Sequence, residues 1–592
     1  MRLAVRASDL SVLKRVQSLG AWGVFGAMVV VAGVLGLTGN GYQTQLLFTT
    51  CMFVVLAYAW NIISGLTGYV SFGQIGFFGI GAYIAAMCQI HLHADWYVAA
   101  ILAGVVATVL AIPLGAVMLR LQGIFFALGM FGLSRIGALI AESSPALGGD
   151  QGLSIPLVGT QQESALVMTA VASVTVLLAG WILNSRLGLR LMAVRDDELT
   201  AAASGVDTNS VKMTAFCLSV GLAAFAGALF VWNIGFINPA SAFNGSYELQ
   251  TILMVLLGGI GTQWGPLLGA VFVSIIGEAL WAQFPEEQQI ILGVLTVIAV
   301  IWMPGGIVSA LNRRGWLRRV AVWGPPMAVD PGPELSQFAA QELNGQAHQP
   351  LLRCERLTKR FGGIVAVRGL GLEVRGGEIL AVIGPNGAGK TTFFNLITGF
   401  DRPSEGTVWF LGNDITRRAP NRIAQGGIAR TFQTSRSFPS LTVWETLLLP
   451  ALTRTRAKGQ AIAEASVMLH RIGLDKQWDR RPDRLPPGQQ RLLDIGRALM
   501  LQPRVLLLDE AMAGMSPGEI VRVHTLLDAE VDRGCAIIAI EHVLPAIMTI
   551  ADRVQVLDFG ATIAQGAPSE VLRNPDVIDA YLGVGEEAMA DA

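Results

Sequence analysis

Between Arg15 and Arg120 the chain has no lysine or arginine, and it has none again between Lys212 and Arg313. Only 14% of all residues are charged, against about 25% in soluble domains. The shortage is local: residues 1–320 hold 14 Lys and Arg and 13 Asp and Glu, while the shorter remainder holds 28 and 30. A net charge of −1 gives no electrostatic reason to expect nucleic-acid binding. Cysteine is scarce as well. The five residues Cys51, Cys88, Cys217, Cys354 and Cys535 never form a C-x-x-C pair, so neither a disulfide framework nor a zinc site is indicated. No cleavage pattern of small residues follows the basic stretch Met1–Ser18, so the first apolar run is expected to be retained.

What the first part does have is apolar length. Ten runs, from Ala21–Leu37 to Ile290–Ile307, suit a bilayer that a helix crosses with about 20 mostly apolar residues. They are too continuous to be alternating barrel strands. The run Leu249–Gly259 meets Gly258, Gly259 and Gly261 and is expected to be broken or half-spanning. Cations cluster at Arg2–Arg15, Arg186–Lys212 and Arg313–Arg319, and the positive-inside rule puts all three in the cytoplasm. An even number of crossings follows; ten is the count, with eight as the alternative. Two segments stand out. Asn61–Gly81 mixes Asn61, Ser64, Thr67, Ser71, Gln74 and six glycines into an apolar region, as a bundle interior or a pathway would. Gly188–Lys212 is the longest charged insertion, expected to be helical from Leu189 to Ala203 and to stop at Gly205; it reads as a connector or as a lever that docks on a motor domain.

Residues 320–350, with five prolines and no apolar period, read as a linker between a membrane domain at 1–319 and a second domain at 351–592. There strand-like and helix-like segments alternate, as in a parallel α/β sheet. The strand Ile379–Ile383 runs into Gly384-Pro-Asn-Gly-Ala-Gly-Lys-Thr-Thr392, which is G-x-x-x-x-G-K-[ST] in strand-loop-helix context. Gly384, Gly387 and Gly389 let the backbone curl around phosphates. Lys390 brings a charge to the β and γ oxygens, and the Thr391 hydroxyl reaches Mg²⁺. A second strand, Val505–Leu508, ends in Asp509, placed to hold Mg²⁺, and Glu510, placed to take a proton from the attacking water.

Leu351–Gly583 resembles the ABC ATPases, and more closely the ATP-binding subunit of bacterial branched-chain amino-acid importers. The resemblance implies that Phe361 stacks on adenine, that Gln433 in Arg430-Thr-Phe-Gln433 senses Mg²⁺ and the attacking water, and that His542 is the switch histidine. Leu485-Pro-Pro-Gly-Gln-Gln490 occupies the signature position and Ala513–Pro517 the dimer-contact loop. The implied ATP-binding set is Phe361, Gly384, Asn386, Gly387, Gly389, Lys390, Thr391, Thr392, Gly488 and Gln489. The catalytic set is Glu510, His542 and Gln433, and the Mg²⁺ set Thr391, Gln433 and Asp509. Three positions depart from the pattern: Pro486 and Pro487 stand where a Ser and a Gly are usual, and Ala511 where a Pro is usual.

Residues 48–307 are similar to the permease subunits of the same importers, with Arg195-Asp-Asp-Glu198, Ala202 and Gly205 matching the coupling loop. The fold expected is therefore a polytopic all-α membrane domain of about 8–10 helices followed by an α/β P-loop ABC ATPase. The function implied is ATP-driven amino-acid import across a bacterial inner membrane, with both termini cytoplasmic. A second permease, a second ATPase, an extracytoplasmic solute-binding protein and membrane lipid are the implied partners. The alternatives are an importer of urea or short-chain amides, and an ATP-gated regulatory membrane protein with weak hydrolysis.

Overall fold

The structure is a computed structural model. It describes residues 39–313, 323–327 and 350–580, except 157–158, 285, 304, 435, 542–549 and 572, together with scattered helical positions between 23 and 34. Most of the first apolar run and most of the linker lie outside the described residues. The chain forms two compact units, Met1–Arg195 with Asn209–Gly324, and Asp196–Thr208 with Pro325–Ala592.

The first unit is helical: α1 (Gly41–Trp60), α2 (Gln74–Leu92), α3 (Trp96–Met118), α4 (Ile124–Ser143), α5 (Gln161–Leu183), α6 (Arg186–Asp196), then, after α7 (Glu198–Ala203) of the second unit, α8 (Thr208–Ile234), α9 (Gly245–Gly258), α10 (Gly265–Gln283), α11 (Gln288–Trp302) and α12 (Gly306–Arg313). Among the described residues six helices are long and apolar enough to cross a membrane. α1 is buried from Cys51 to Trp60 and forms the centre of the bundle. α3 buries an alanine stripe, Ala99, Ala103, Ala107 and Ala111, and exposes Ile101, Val105 and Val109, which is the pattern of a helix with one face on protein and one on lipid.

Close approach is made by glycine. A Cβ on Gly81 would lie 2.1 Å from the Ala224 carbonyl oxygen, and one on Gly227 2.0 Å from that of Phe78, so α2 and α8 touch backbone to backbone. The expected break after Leu249 is present: α9 ends at Gly258, and Gly259 takes φ 129°.

Asn61–Gly81 is where the helical pattern yields. α1 loosens into a π turn at Asn61–Gly65, residues 68–73 are non-helical, and α2 begins at Gln74. The polar side chains read from the sequence pair the backbone freed by this break. Asn61 Oδ1 accepts from Gly261 N (2.8 Å), Ser64 Oγ from Ser71 N (3.0 Å), and Trp60 Nε1 donates to Ser71 O (2.8 Å). Glu248 of α9, almost wholly buried, accepts from Ile75 N (2.6 Å) in the first turn of α2.

The second unit holds β1 (Leu352–Phe361), β2 (Ile364–Val374), β3 (Ile379–Ile383), α13 (Lys390–Ile397), β4 (Glu405–Phe410), β5 (Asn413–Asp414), α14 (Pro420–Gly426), β6 (Ile428–Arg430), α15 (Val443–Arg454), α16 (Lys458–Arg471), α17 (Pro487–Leu499), β7 (Val505–Asp509), α18 (Pro517–Val531), β8 (Ala536–Ile540), β9 (Arg553–Asp558) and β10 (Ala561–Gly566). One sheet runs β10-β9-β3-β8-β7-β6, parallel except for the β9-β10 hairpin. β3, β7 and β8 are buried at every residue, as central parallel strands must be. A second, antiparallel sheet, β2-β1-β4-β5, goes beyond the purely parallel sheet that alternation implied. Its alternating residues Leu352, Cys354, Val408 and Phe410 join the same core as the P-loop helix.

Replacing Gly227 by Leu is expected to lower the thermal midpoint of the purified protein in detergent, by the about 1–3 kcal/mol that overpacking costs or more. Gly132→Leu, at a helical site with open space, is expected to leave it near wild type. Equal midpoints for the two variants would show that the α2–α8 contact gives way freely.

Candidate nucleotide site

The loop between β3 and α13 needs glycine where the sequence supplies it. Gly384, Gly387 and Gly389 have φ of 152°, 84° and 92°, in or beside the left-handed region that side chains avoid. A Cβ on Gly389 would sit 2.3 Å from Ala366 O, whereas one on Gly387 meets nothing within 4 Å. The loop is therefore clamped from behind and open in front. Asn386, Gly387 and Thr391 are exposed along it and Thr392 is half-buried. The Lys390 ammonium is held at the loop by the Gly384 (2.6 Å) and Pro385 (2.9 Å) carbonyls. Burial lowers its pKa, opposed by the charges of Glu510 and Asp509.

β7 ends on Asp509 and Glu510 follows it with a positive φ, so the two carboxylates meet different surroundings. Asp509 is buried and paired with Arg430 of β6, Nη2 to Oδ2 3.1 Å. Burial raises its pKa and the Arg430 charge opposes the rise. Among the described residues its Oδ1 is buried without a partner. Glu510, half-buried, sits at φ 49°, a strained backbone for a side-chain-bearing residue. Arg491 of α17 holds its carbonyl at 2.6 Å. Gln433 Nε2 donates to Glu510 Oε1 at 2.9 Å, which brings together two residues that the sequence places 77 apart.

Thr391, Asp509 and Gln433 offer only oxygen to a cation, and an all-oxygen set with one unpartnered buried carboxylate oxygen suits a hard divalent ion. Phe361 ends β1, about half exposed, with Lys359 Nζ 4.8 Å from its ring centroid. Gly488 and Gln489 lie in the first turn of α17, and His542 lies outside the described residues.

Sequence reasoning gave no role to Arg430 itself, although it quoted the motif that contains it. Arg430 Nη1 also reaches Asn395 Oδ1 (2.5 Å) on α13, so one buried guanidinium ties the P-loop helix to β7. Glu541, the neighbour of His542, is a second residue whose part the sequence did not show. It accepts from Met512 N (3.1 Å), and burial pushes its carboxyl up to about 7.

The segment Asp196–Thr208 packs within this unit. The sequence implied one helix from Leu189 to Ala203; the structure breaks it at Asp197, which is extended and caps α7 through Oδ1 to Thr200 N (2.6 Å). Ser440 donates to both Asp196 carboxylate oxygens (2.7 Å each), and Arg436, three residues beyond Gln433, pairs with Asp197 (3.0 Å). Thr453 and Gln425 donate to the Ser204 and Gly205 carbonyls, and the buried Arg497 of α17 donates to Ser204 Oγ (2.9 Å).

A phosphate-binding loop, two strand-end carboxylates and a glutamine contacting the second of them define an ATP-hydrolysing cassette. Residues 367–513 match the family model described as ABC transporter, residues 42–300 that of the branched-chain amino acid transport system permease component, and residues 561–587 that of the branched-chain amino acid ATP-binding cassette transporter. The high-affinity branched-chain amino acid transport ATP-binding protein LivG of Salmonella typhimurium is 40% identical over 251 residues, 40% of this chain and 98% of that protein. LivG of Escherichia coli K12 is 39% identical over the same shares, and a probable LivG of Archaeoglobus fulgidus 35% over 39% and 95%. A nucleotide-free ATP-binding cassette from an ABC transporter, solved by crystallography, is 32% identical over 39% of this chain and 99% of that one, with a TM-score of 0.37. The chain belongs to the branched-chain amino acid ABC transporter family, with a permease and a nucleotide-binding, ATP-hydrolysing cassette joined in one polypeptide.

Two outcomes test the site. Glu510→Gln is expected to keep ATP binding and to lower turnover by about 10²-fold or more, because the amide cannot accept a proton; Lys390→Ala is expected to weaken nucleotide binding itself. Fluorescent-nucleotide titration and phosphate release separate them, and near-normal turnover in Glu510→Gln would remove the residue from the chemistry. The second outcome concerns pH. A carboxyl raised from 4.5 to about 7 keeps its proton in the folded state after the unfolded chain has released it. Stability is therefore highest below the unfolded value and falls as pH rises from about 4.5 to about 7, by at most about 3 kcal/mol. Urea midpoints of the cassette should show that fall in wild type and lose it in Glu541→Gln.

Proposed function

We propose that this chain is one permease and one motor of an importer that carries aliphatic amino acids across a bacterial inner membrane, with the cassette and both termini in the cytoplasm. The observation that carries the reading is the segment Asp196–Thr208. Charged and helical, it leaves the permease sequence and packs in the cassette unit against Ser440, Arg436 and the signature helix α17. A segment held that way moves when the groove around Gln433 changes shape.

In the proposed cycle the loop Gly384–Gly389, Lys390 and Thr392 hold the phosphates, with Phe361 against the base. Thr391, Asp509 and Gln433 would hold Mg²⁺, which when bound neutralises charge on the β and γ phosphates. Glu510 takes a proton from the attacking water while Gln433 fixes the carboxylate, and His542 serves as the switch histidine. The signature residues Gly488 and Gln489 face the nucleotide of an opposing cassette. Closure of two cassettes on ATP pulls Asp196–Thr208, and hydrolysis releases it. Solute comes from an extracytoplasmic binding protein.

The opposing cassette is proposed to be a different chain. α17 starts with Pro487 at its first position, where a missing N–H and a fixed φ suit a helix. Pro486 before it is extended, as a residue preceding proline prefers. The fold of the signature is thereby kept. Its chemistry is not, because neither proline has an N–H and the usual hydroxyl is gone. Two copies of this chain would give two impaired sites.

Purified alone, the chain is expected to hydrolyse ATP slowly; co-expression with a second permease and a second ATPase is expected to raise the rate about tenfold or more, about 1.4 kcal/mol of barrier. A lone chain that supports binding-protein-stimulated uptake at full rate in proteoliposomes would show that two copies suffice. Inserting proline at Ala202 is expected to leave hydrolysis and abolish uptake, by breaking α7. Uptake unchanged by that proline would reduce the segment to a connector.

A further inference from the structure

The membrane unit contains a cavity of about 200 Å³ between α1, α9 and α10. Its lining is graded. At one end, Phe53, Met254 and Val273 present apolar surface. At the other, Glu278 near the end of α10 accepts a hydrogen bond from the hydroxyl of Tyr42, in the first turn of α1, at 2.5 Å. Between them are Gln250 and Ser274. The Ser274 hydroxyl is buried and, among the described residues, has no hydrogen-bond partner. A buried hydroxyl left unmade costs about 1–3 kcal/mol in an ordinary core, so it marks a place where a ligand group is accepted. The volume equals about six or seven waters at ~30 Å³ each. That admits a small solute and falls below the ~300–1,000 Å³ of pockets for larger ligands.

Charge chooses the ligand. Among the described residues no lysine or arginine lines the cavity, and its one formal charge is the Glu278 carboxylate. Near the ends of α1 and α10, with no cation paired to it among the described residues, that carboxylate lacks a counter-charge. A cationic group on the ligand is the partner it lacks. The side of the membrane follows from Arg195, which lies in the cytoplasmic cation cluster and donates to Gly65 O (2.7 Å) just past the end of α1. Tyr42 is at the opposite end of that helix, so the polar mouth faces the extracytoplasmic side.

We propose that this cavity is a solute site on the outer side of the permease, taking a small primary amine with an aliphatic body, its ammonium on Glu278, its polar remainder on Ser274 and Gln250, and its side chain against Phe53, Met254 and Val273. The proposal rests on the reading of the chain as an amino-acid importer and adds selection within the membrane to whatever a binding protein provides.

The test uses the full chain with its partner subunits in lipid nanodiscs and radiolabelled L-leucine without binding protein. Leucine is expected to be displaced by 3-methylbutylamine, which keeps the ammonium, and not by 4-methylpentanoate, which lacks it. Glu278→Gln is expected to weaken leucine binding about tenfold or more, with Glu278→Asp recovering part. If Glu278→Gln fails to assemble, Ser274→Phe, which fills the cavity, should abolish binding in its place. Leucine bound with wild-type affinity by both variants would overturn the site and leave the amino-acid reading standing. Binding of labelled urea or acetamide and not leucine, lost in Ser274→Phe, would overturn the amine assignment and the amino-acid reading together. No binding of any of these probes to the wild type would overturn the site.

Discussion

A peptide group inside hydrocarbon has no water to turn to, and the membrane unit is organised around a segment where its helices stop meeting that demand by themselves. Continuous helices need nothing more, which is why α3 can be an alanine stripe on one side and bare aliphatic surface on the other. From Asn61 to Gly73 the i to i−4 ladder is interrupted, and the chain draws on every polar side chain within reach. Asn61 bridges to the Gly259–Thr262 turn, Ser64 returns to Ser71, and Glu248 is spent on the start of α2. Those bonds fix the ends of α1, α2, α9 and α10 relative to one another. The glycine contacts between α2 and α8 follow, since helices held that close leave no room for a Cβ.

The cassette meets the same requirement in water by a different route. Its three central strands are buried throughout and end at one edge, where chain direction in a parallel sheet brings every strand-to-helix loop to the same side. Phosphate loop and carboxylates therefore meet without long-range instruction beyond strand order. What strand order cannot do is hold Asp509 and Glu510 in unlike states. Arg430 does the first, as a buried cation facing a buried anion. Arg491 and Gln433 do the second, pinning a residue whose backbone is strained.

Most of the cassette was legible because its signals are short and local: G-x-x-x-x-G-K-[ST] needs the eight positions Gly384–Thr391 and one preceding strand. The membrane unit was legible as composition, and the α9 break as a glycine cluster. Less could be read where the deciding interaction is non-local. Nothing near Asp197 in sequence announces that α6 and α7 part there; an aspartate inside a helical pattern reads as one more surface charge until its cap to Thr200 and its pairing with Arg436 are seen. Arg430 was hidden for the same reason, because its partners Asn395 and Asp509 lie 35 residues before and 79 after. Glu248 was the omission with a signal. A lone carboxylate in an apolar run costs enough that it must be paired or used.

The double proline at the signature separates two things that a motif comparison merges. Judged as backbone, Pro486-Pro487 is a good helix start: the first residue extended, the second at the position where proline fits, and Gly488 packed so closely that a Cβ would meet the Glu519 carboxylate at 2.2 Å. Judged as chemistry, the same pair deletes two amide donors and a hydroxyl from a surface whose purpose is to meet phosphate. A change that preserves geometry and removes function from only one face is tolerable where that face is not the one that must work. In the two-site dimer proposed for this chain the signature of one cassette would complete the other's site, so a cassette with a sound P-loop, a sound pair of carboxylates and a poor signature would be matched best by a partner whose signature is sound.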